Sequence, residues 1–320
     1  IGLALIIGFI ISILGIIFGS SILISINEDR NTLILSNQYM NIIYLGSTFI
    51  LILMVTNSCL SALGDTKSYR NVLIFSFFLN IILNPILISG KIFNFQVIPA
   101  LGITGIAIAT ILSQLIGLIY LLYKISKTEI YKKFTKVYLK PKLSLIIEIL
   151  MQGVPASIGL MMIALGSYIL LFFVGYYGND AIAGFASAGR YEQLLFLPLL
   201  GLSTAVTAIV GQNFGAKQRE RILETFNKAV STGFILLLFV GIILFLTAEI
   251  SMKLFTNNNE VIYYGSVYLK IWAFGFPAFP LFFISNATFQ GLKKATIVMY
   301  MAILRFVLIC IYIYIYVVLF

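Results

Sequence analysis

Along the chain, long apolar runs alternate with short polar breaks. Charge-free stretches extend from Ile1 to Asn27, Asn31 to Gly64, Asn71 to Gly90, Ile92 to Tyr123, Ile149 to Asn179, Gln193 to Ala216 and Ala229 to Ala248. Two further runs, about 262 to 291 and 295 to 320, carry one basic residue each, Lys270 and Arg305. Roughly 20 apolar residues cross a bilayer as a helix, and a helix satisfies its own backbone hydrogen bonds where no water can. The runs are too long and continuous for barrel strands. They predict nine membrane-spanning helices, the sixth starting near Ile182, and an all-α polytopic membrane protein.

Composition agrees with the pattern. At 61% hydrophobic and 10% charged, the chain has too few polar side chains to cover a surface in water, so the lipid bilayer is its expected partner. A net charge of +10 would suggest nucleic acid were it not for where the 21 Lys and Arg residues lie. Lys67 and Arg70, the seven lysines from Lys124 to Lys142, Lys217, Arg219, Arg221 and Lys228, and Lys293 with Lys294 occupy alternate loops. The intervening loops hold only Arg30, Lys91 and Lys253. Basic loops stay cytoplasmic, so the first helix is expected to run outward, and nucleic acid is excluded as a partner. The lysine-rich segment 125–145, including Lys132, Lys133, Lys136 and Lys140, divides four helices in 1–124 from five in 146–320. It reads as a solvated cytoplasmic linker, with contact to anionic headgroups as the alternative.

The sequence contains no histidine, which excludes histidine catalysis, histidine proton shuttles and histidine metal sites. Cys59 and Cys310 lie far apart within apolar runs, without metal-type spacing, and read as inert thiols. The chain starts and stops within apolar sequence, with no initiator Met, and is read as a fragment.

The two parts echo each other. Asn57 and Ser61 near the end of the second helix, and Asn286 and Gln290 near the end of the eighth, are each spaced i, i+4, on one helix face. The pairs lie 229 residues apart, and each precedes a basic loop. Internal repeats of helix bundles are a habit of secondary transporters.

Several strings carry a specific resemblance: Gly64-Asp65-Thr66-Lys67, Leu79-Asn80-Ile81-Ile82-Leu83-Asn84-Pro85, Leu101-Gly102-Ile103-Thr104-Gly105 through Thr110, Ala188-Gly189-Arg190-Tyr191-Glu192-Gln193, and Val210-Gly211-Gln212-Asn213-Phe214-Gly215-Ala216-Lys217. In this order the chain resembles the multidrug and toxic compound extrusion (MATE) family over almost its whole length. The resemblance implies two lobes of six helices related by a pseudo-two-fold axis, of which these nine resemble helices three to eleven. It further implies exchange of Na⁺ or H⁺ for small, drug-like, often cationic organic compounds, with no cofactor and no bound metal. The expected setting is the bacterial plasma membrane, with a monomer as the acting unit. The missing first helix supplies an acidic residue to the N-lobe cation site in the family, so the fragment alone is expected not to transport.

Polar groups inside hydrocarbon are costly and mark functional candidates. Asn80 and Asn84 share a helix face, and the resemblance implies that they and Thr110 form the N-lobe cation site. The family commonly has Asp where Asn84 stands, a departure that removes a charge. Helix–helix hydrogen bonding is the alternative reading. Glu192 is the acidic residue flanked most closely by spanning sequence, and with Arg190 and Gln193 it is the candidate coupling and substrate site. A carboxylate kept from water suits a proton carrier, whereas a guanidinium or ammonium from Arg190, Lys270 or Arg305 would make a fixed pair. Gly64, Asp65 and Thr66 read as a helix boundary with Asp65 capping the next helix. Gly211, Gln212, Asn213 and Gly215 read as gating or packing elements, and Pro155, Pro198, Pro277 and Pro280 as kinks. Tyr168, Phe172, Phe173, Trp272, Phe274, Phe276 and Phe279 are candidates to line a cavity for flat compounds.

Two other readings compete. A lipid-linked oligosaccharide flippase would need a cavity rich in basic groups, and only Arg190, Lys270 and Arg305 are available. A non-transport membrane protein, such as an intramembrane enzyme or a channel, would need paired Asp, Ser with Lys, or a repeated carbonyl filter. None of these is visible, so no catalytic residue is assigned.

Overall fold

The computed structural model describes residues 2–26, 30–92, 95–132 and 142–319. The apolar runs form α1 (Gly2–Ile26), α2 (Arg30–Ala62), α3 (Lys67–Ser89), α4 (Ile103–Ser126), α6 (Leu143–Val174), α7 (Asn179–Gly215), α8 (Arg219–Lys253), α9 (Asn259–Gly275), α10 (Phe279–Gly291) and α11 (Ala295–Leu319). A short helix, α5 (Glu129–Lys132), lies in the basic linker, whose Lys133, Lys136 and Lys140 are outside the described residues. Helices α9 and α10 belong to one span, interrupted by a 3₁₀ turn at Phe276–Ala278. Among the described residues, nine helical segments are long and apolar enough to cross a membrane. Their outer faces keep large side chains such as Phe9, Phe77, Leu246 and Phe274 exposed, as lipid requires.

The chain divides into two compact units, Ile1–Ile146 and Ile147–Phe320. In the first, α2 packs on α1 and α4, and α3 on α4, around Leu53, Leu60, Val72, Leu118 and Leu121. Gly105 lets α4 approach α3 closely, since a Cβ there would lie 2.6 Å from the Leu87 carbonyl oxygen. A hairpin of β1 (Lys91–Ile92) and β2 (Phe95–Gln96) sits between α3 and α4, too short to leave a periodic signal in sequence. In the second unit α7, α8, α9 and α10 enclose Leu199, Leu237, Leu244, Met252, Leu269 and Phe276. Gly184 brings α7 onto α9, with Gly265 N and Val261 O each 2.9 Å from where its Cβ would stand. Gly159 and Gly166 of α6 face Ala302 and Ile309 of α11.

Some boundaries differ from expectation. The sixth span starts at Asn179 rather than near Ile182, because Gly178 at φ 96 breaks the chain there and Asp180 occupies the first turn, where an acidic side chain favours the helix dipole. The eighth starts at Asn259, with the Asn258 side chain accepting from Glu260 N at 2.9 Å. Helices α6 and α7 continue through Pro155 and Pro198, whereas Pro277 lies in the 3₁₀ turn and Pro280 in the first turn of α10.

The 229-residue echo has a structural counterpart. At the end of α2, Gly64 N donates to Ser61 O and Asp65 N to Leu60 O, with Gly64 at φ 88. At the end of α10, Lys293 N donates to Gln290 O and Lys294 N to Phe289 O, with Lys293 at φ 59. Both are the same left-handed helix stop, in which the two bonds satisfy carbonyls the helix leaves free. The end of α7 repeats it with Lys217 at φ 58.

Candidate functional site

Charge inside the membrane points to the second unit. In α1 to α4 the charged residues are Arg30, Lys67, Arg70 and Lys124, all in first or last turns. In the second unit Arg190 and Glu192 of α7, Lys270 of α9 and Arg305 of α11 lie well inside their spans. At about 1.5 Å per residue, Glu192 is roughly 20 Å along α7 from Asn179, and Arg305 roughly 15 Å along α11 from Ala295. Arg190, Glu192, Gln193 and Arg305 all line one cavity of 680 Å³ bounded by α6, α7, α9, α10 and α11. Lys270 is not among its lining residues.

Glu192 is partly buried, and its Oε2 accepts a hydrogen bond from Tyr268 Oη at 2.7 Å. Among the described residues no ammonium or guanidinium pairs with it; the ion pairs present are Lys228–Glu224, Lys253–Glu249 and Lys293–Glu148. The fixed pair offered by Arg190, Lys270 or Arg305 is therefore not formed, and a neutral phenol takes its place. Arg305 stands over the ring of Phe282 at 5.6 Å and acts on Glu192 through space without forming an ion pair with it. Sequence reasoning missed Tyr268. Its only signal was a hydroxyl-bearing ring within a span, and tyrosines are too common here, 18 in all, for that to stand out.

Aromatic rings make the rest of the wall. Trp272 and Phe279 line the cavity, 4.9 Å apart between centroids, and Phe196 meets Phe279 edge-on at 4.9 Å. The other aromatic candidates lie elsewhere. Phe276 is fully buried beneath Phe196, Phe274 is 77% exposed, Tyr168 and Phe172 line a separate shallow recess, and Phe173 packs on Tyr176. Spacing alone could not tell these fates apart, because residues around a helix turn face the core or lipid by turns.

Between the helix ends of the first unit the polar groups are neutral. Asn80 Nδ2 donates to Ser76 O at 2.8 Å and to Ser113 Oγ at 3.0 Å, and Ser113 Oγ donates to Thr110 O at 2.9 Å. The Thr110 hydroxyl turns back on Ile106 O. Asn84 Oδ1 is buried without a partner among the described residues, as are Ser203 Oγ and Asn286 Oδ1 in the second unit. Asn80 and Thr110 are thus joined through Ser113, and Asn84 stays outside that network.

The boundary residues have plain geometry. Asp65 Oδ1 accepts from Ser68 N at 3.0 Å and Oδ2 from Ser68 Oγ at 2.6 Å, so Asp65 caps α3 while Thr66 makes no side-chain cap. The Ser68 hydroxyl bond, more than any other influence, holds the Asp65 carboxyl below the usual carboxylate range. Gly211 would place a Cβ 3.8 Å from Gly291 O, whereas Gly215 has open space. Asn213 Nδ2 donates to Ile209 O, and Gln212 O accepts from Ala216 N within the same helix end.

Residues 1–86 and 155–315 match the family described as MatE. The chain is 27% identical over 287 residues to the probable multidrug resistance protein YoeA of Bacillus subtilis, covering 89% of this chain and 61% of that protein. It is 31% identical over 261 residues to the probable multidrug resistance protein NorM of Thermotoga maritima, covering 82% and 54% respectively. The chain spans somewhat over half the length of these relatives. Its fold matches the solved structure of a MOP superfamily transporter from Pyrococcus furiosus with a TM-score of 0.86 at 23% identity, over 95% of this chain and 67% of that one.

Proposed function

The chain belongs to the MatE family, a multi-pass protein of the bacterial plasma membrane, and from that premise we propose that its second-unit cavity is the cargo site of an exporter of small organic compounds. Na⁺ or H⁺ drives the export by exchange, and Glu192 is the residue that holds the coupling ion. The observation that carries this reading is the Glu192 carboxylate, well inside a span, at the wall of a 680 Å³ cavity and held by Tyr268 rather than by a cation. A carboxylate with a neutral partner has an oxygen free for a proton or a metal cation, and in a medium of low dielectric it gains by taking one. The Tyr268 bond fixes its direction from α9, the helix that ends at the Phe276–Ala278 turn. An ion arriving at Glu192 thus acts on a span already interrupted beside the cavity. The rings of Phe196, Trp272 and Phe279 offer flat apolar surface to a planar cargo.

The test is efflux by the complete carrier. Glu192→Gln, inserted at the normal level, is expected to abolish efflux driven by an imposed gradient, and collapsing Na⁺ and H⁺ gradients separately identifies the ion. Undiminished efflux in that variant would remove Glu192 from the coupling role.

A further inference from the structure

The charges on the cavity wall do not balance. Arg190 and Arg305 supply two guanidiniums, and Glu192 supplies the one carboxylate among the described lining residues. The remaining polar groups on the wall, Gln193, Tyr268, Ser167 and the indole N–H of Trp272, are neutral. The cavity therefore carries a surplus positive charge when Glu192 is ionised and a larger one when it holds a proton or a cation. Neither arginine has a hydrogen bond or ion pair with a described residue; Arg305 lies over Phe282 and feels Glu192 only through space. A guanidinium at this depth is costly unless an anion or water meets its five donors. Lysine-rich loops do not explain the surplus, since these two cations lie inside spans rather than at their ends.

We infer that the cavity of the second unit is an anion-binding site, and that its preferred cargo is a planar aromatic compound bearing a phosphate or carboxylate. The anionic group sits between Arg190 and Arg305, where planar guanidiniums meet carboxylate or phosphate oxygens two at a time. The ring system lies against Trp272 and Phe279. The stem of Arg305 also borders a second, almost wholly apolar recess of 490 Å³ with Leu170, Phe282 and Leu308, an apolar surface on which a hydrophobic tail can rest. This inference rests on the cavity being the cargo site and adds the charge of the cargo.

Trp272 is the single tryptophan of the chain and lies on the cavity wall, so its fluorescence reports occupancy directly. The purified chain in lipid nanodiscs is titrated with flavin mononucleotide, with riboflavin as the same ring system lacking the phosphate, and with the cation rhodamine 6G. Flavin mononucleotide is expected to quench Trp272 with an affinity about tenfold above that of riboflavin, the size of one charge-assisted contact. Arg305→Gln and Arg190→Gln each remove most of that advantage without changing riboflavin, Arg305→Lys restores part of it, and Glu192→Gln tightens flavin mononucleotide. Each variant is checked for unchanged helical circular dichroism, so a misfolded protein is not read as lost binding. Equal affinity for the two flavins, or tighter quenching by rhodamine 6G, overturns the anionic preference and leaves the cavity as cargo site. If none of the three compounds quenches Trp272, the cargo-site reading fails, and this inference with it.

Discussion

Between its helix ends, the unit of residues 1–146 has only neutral polar side chains, and some of their hydrogen bonds join neighbouring helices. Asn80 of α3 bonds Ser113 of α4, and Ser47 of α2 bonds the Gly8 carbonyl of α1. The unit of residues 147–320 places two arginines and a glutamate around a cavity and gives them one phenol as partner. The comparison teaches that intramembrane polarity has two uses in one chain. Where donors and acceptors match, polarity fastens helices at about 0.6–1.7 kcal/mol per bond. Where charges are left over, it marks a site that something else completes.

Four sets of substitutions break or sharpen that contrast. The largest effect is expected at Gly184, where a side chain would be driven into the backbone of α9 at 2.9 Å. Gly184→Leu should cost about 3 kcal/mol or more and abolish Trp272 quenching. Gly153→Leu, with nothing within 4 Å, should leave thermal stability in detergent unchanged. If Gly184→Leu melts normally, the α7–α9 contact is not what holds the cavity.

Next is the cap of α3. Asp65→Ala should lower stability by about 1 kcal/mol. Because the folded Asp65 carboxyl is held below its ordinary value by Ser68, its contribution is present above that ordinary value and lost as pH falls through the folded one. Melting temperatures of wild type and Asp65→Ala should therefore converge below about pH 4.

The helix stops provide a third, with opposite signs in the two units. Gly64 takes a left-handed conformation freely, whereas Lys217 takes it at a cost of roughly 1–2 kcal/mol. Lys217→Gly is expected to raise the melting temperature and Gly64→Ala to lower it. A fall with Lys217→Gly would mean that the lysine side chain does more than the backbone loses.

The smallest effect separates Asn80 from Asn84. Asn80→Ala should cost about 0.6 kcal/mol, while Asn84→Ala, which removes an unpartnered buried oxygen, should be neutral in stability. Efflux lost on Asn84→Ala with stability intact would give the first unit a cation site of its own and end the contrast.

Much of this was legible beforehand. The nine spans follow from run length, since lipid imposes an apolar surface on every helix that crosses it, and the alternation of lysine-rich loops orders them. The echo between Ser61 and Gln290 proved to be two copies of one helix stop, visible because the polar pair and the stop lie within one turn. The hairpin between α3 and α4 was invisible, as were the sorting of the aromatic residues and the role of Tyr268.

The sequence by itself determined that this chain is a lipid-solvated helical bundle and that charge enters its spans only at Arg190, Glu192, Lys270 and Arg305, because solvent acts on each helix separately. Only the tertiary structure decided that three of those four share a cavity, that Lys270 stays outside it, and that Glu192 meets a phenol rather than a cation. Those outcomes depend on the rotation of α7, α9 and α11 about their axes. That rotation is set by close contacts such as Gly184 against Gly265, which join residues 81 positions apart and leave no local pattern in the chain.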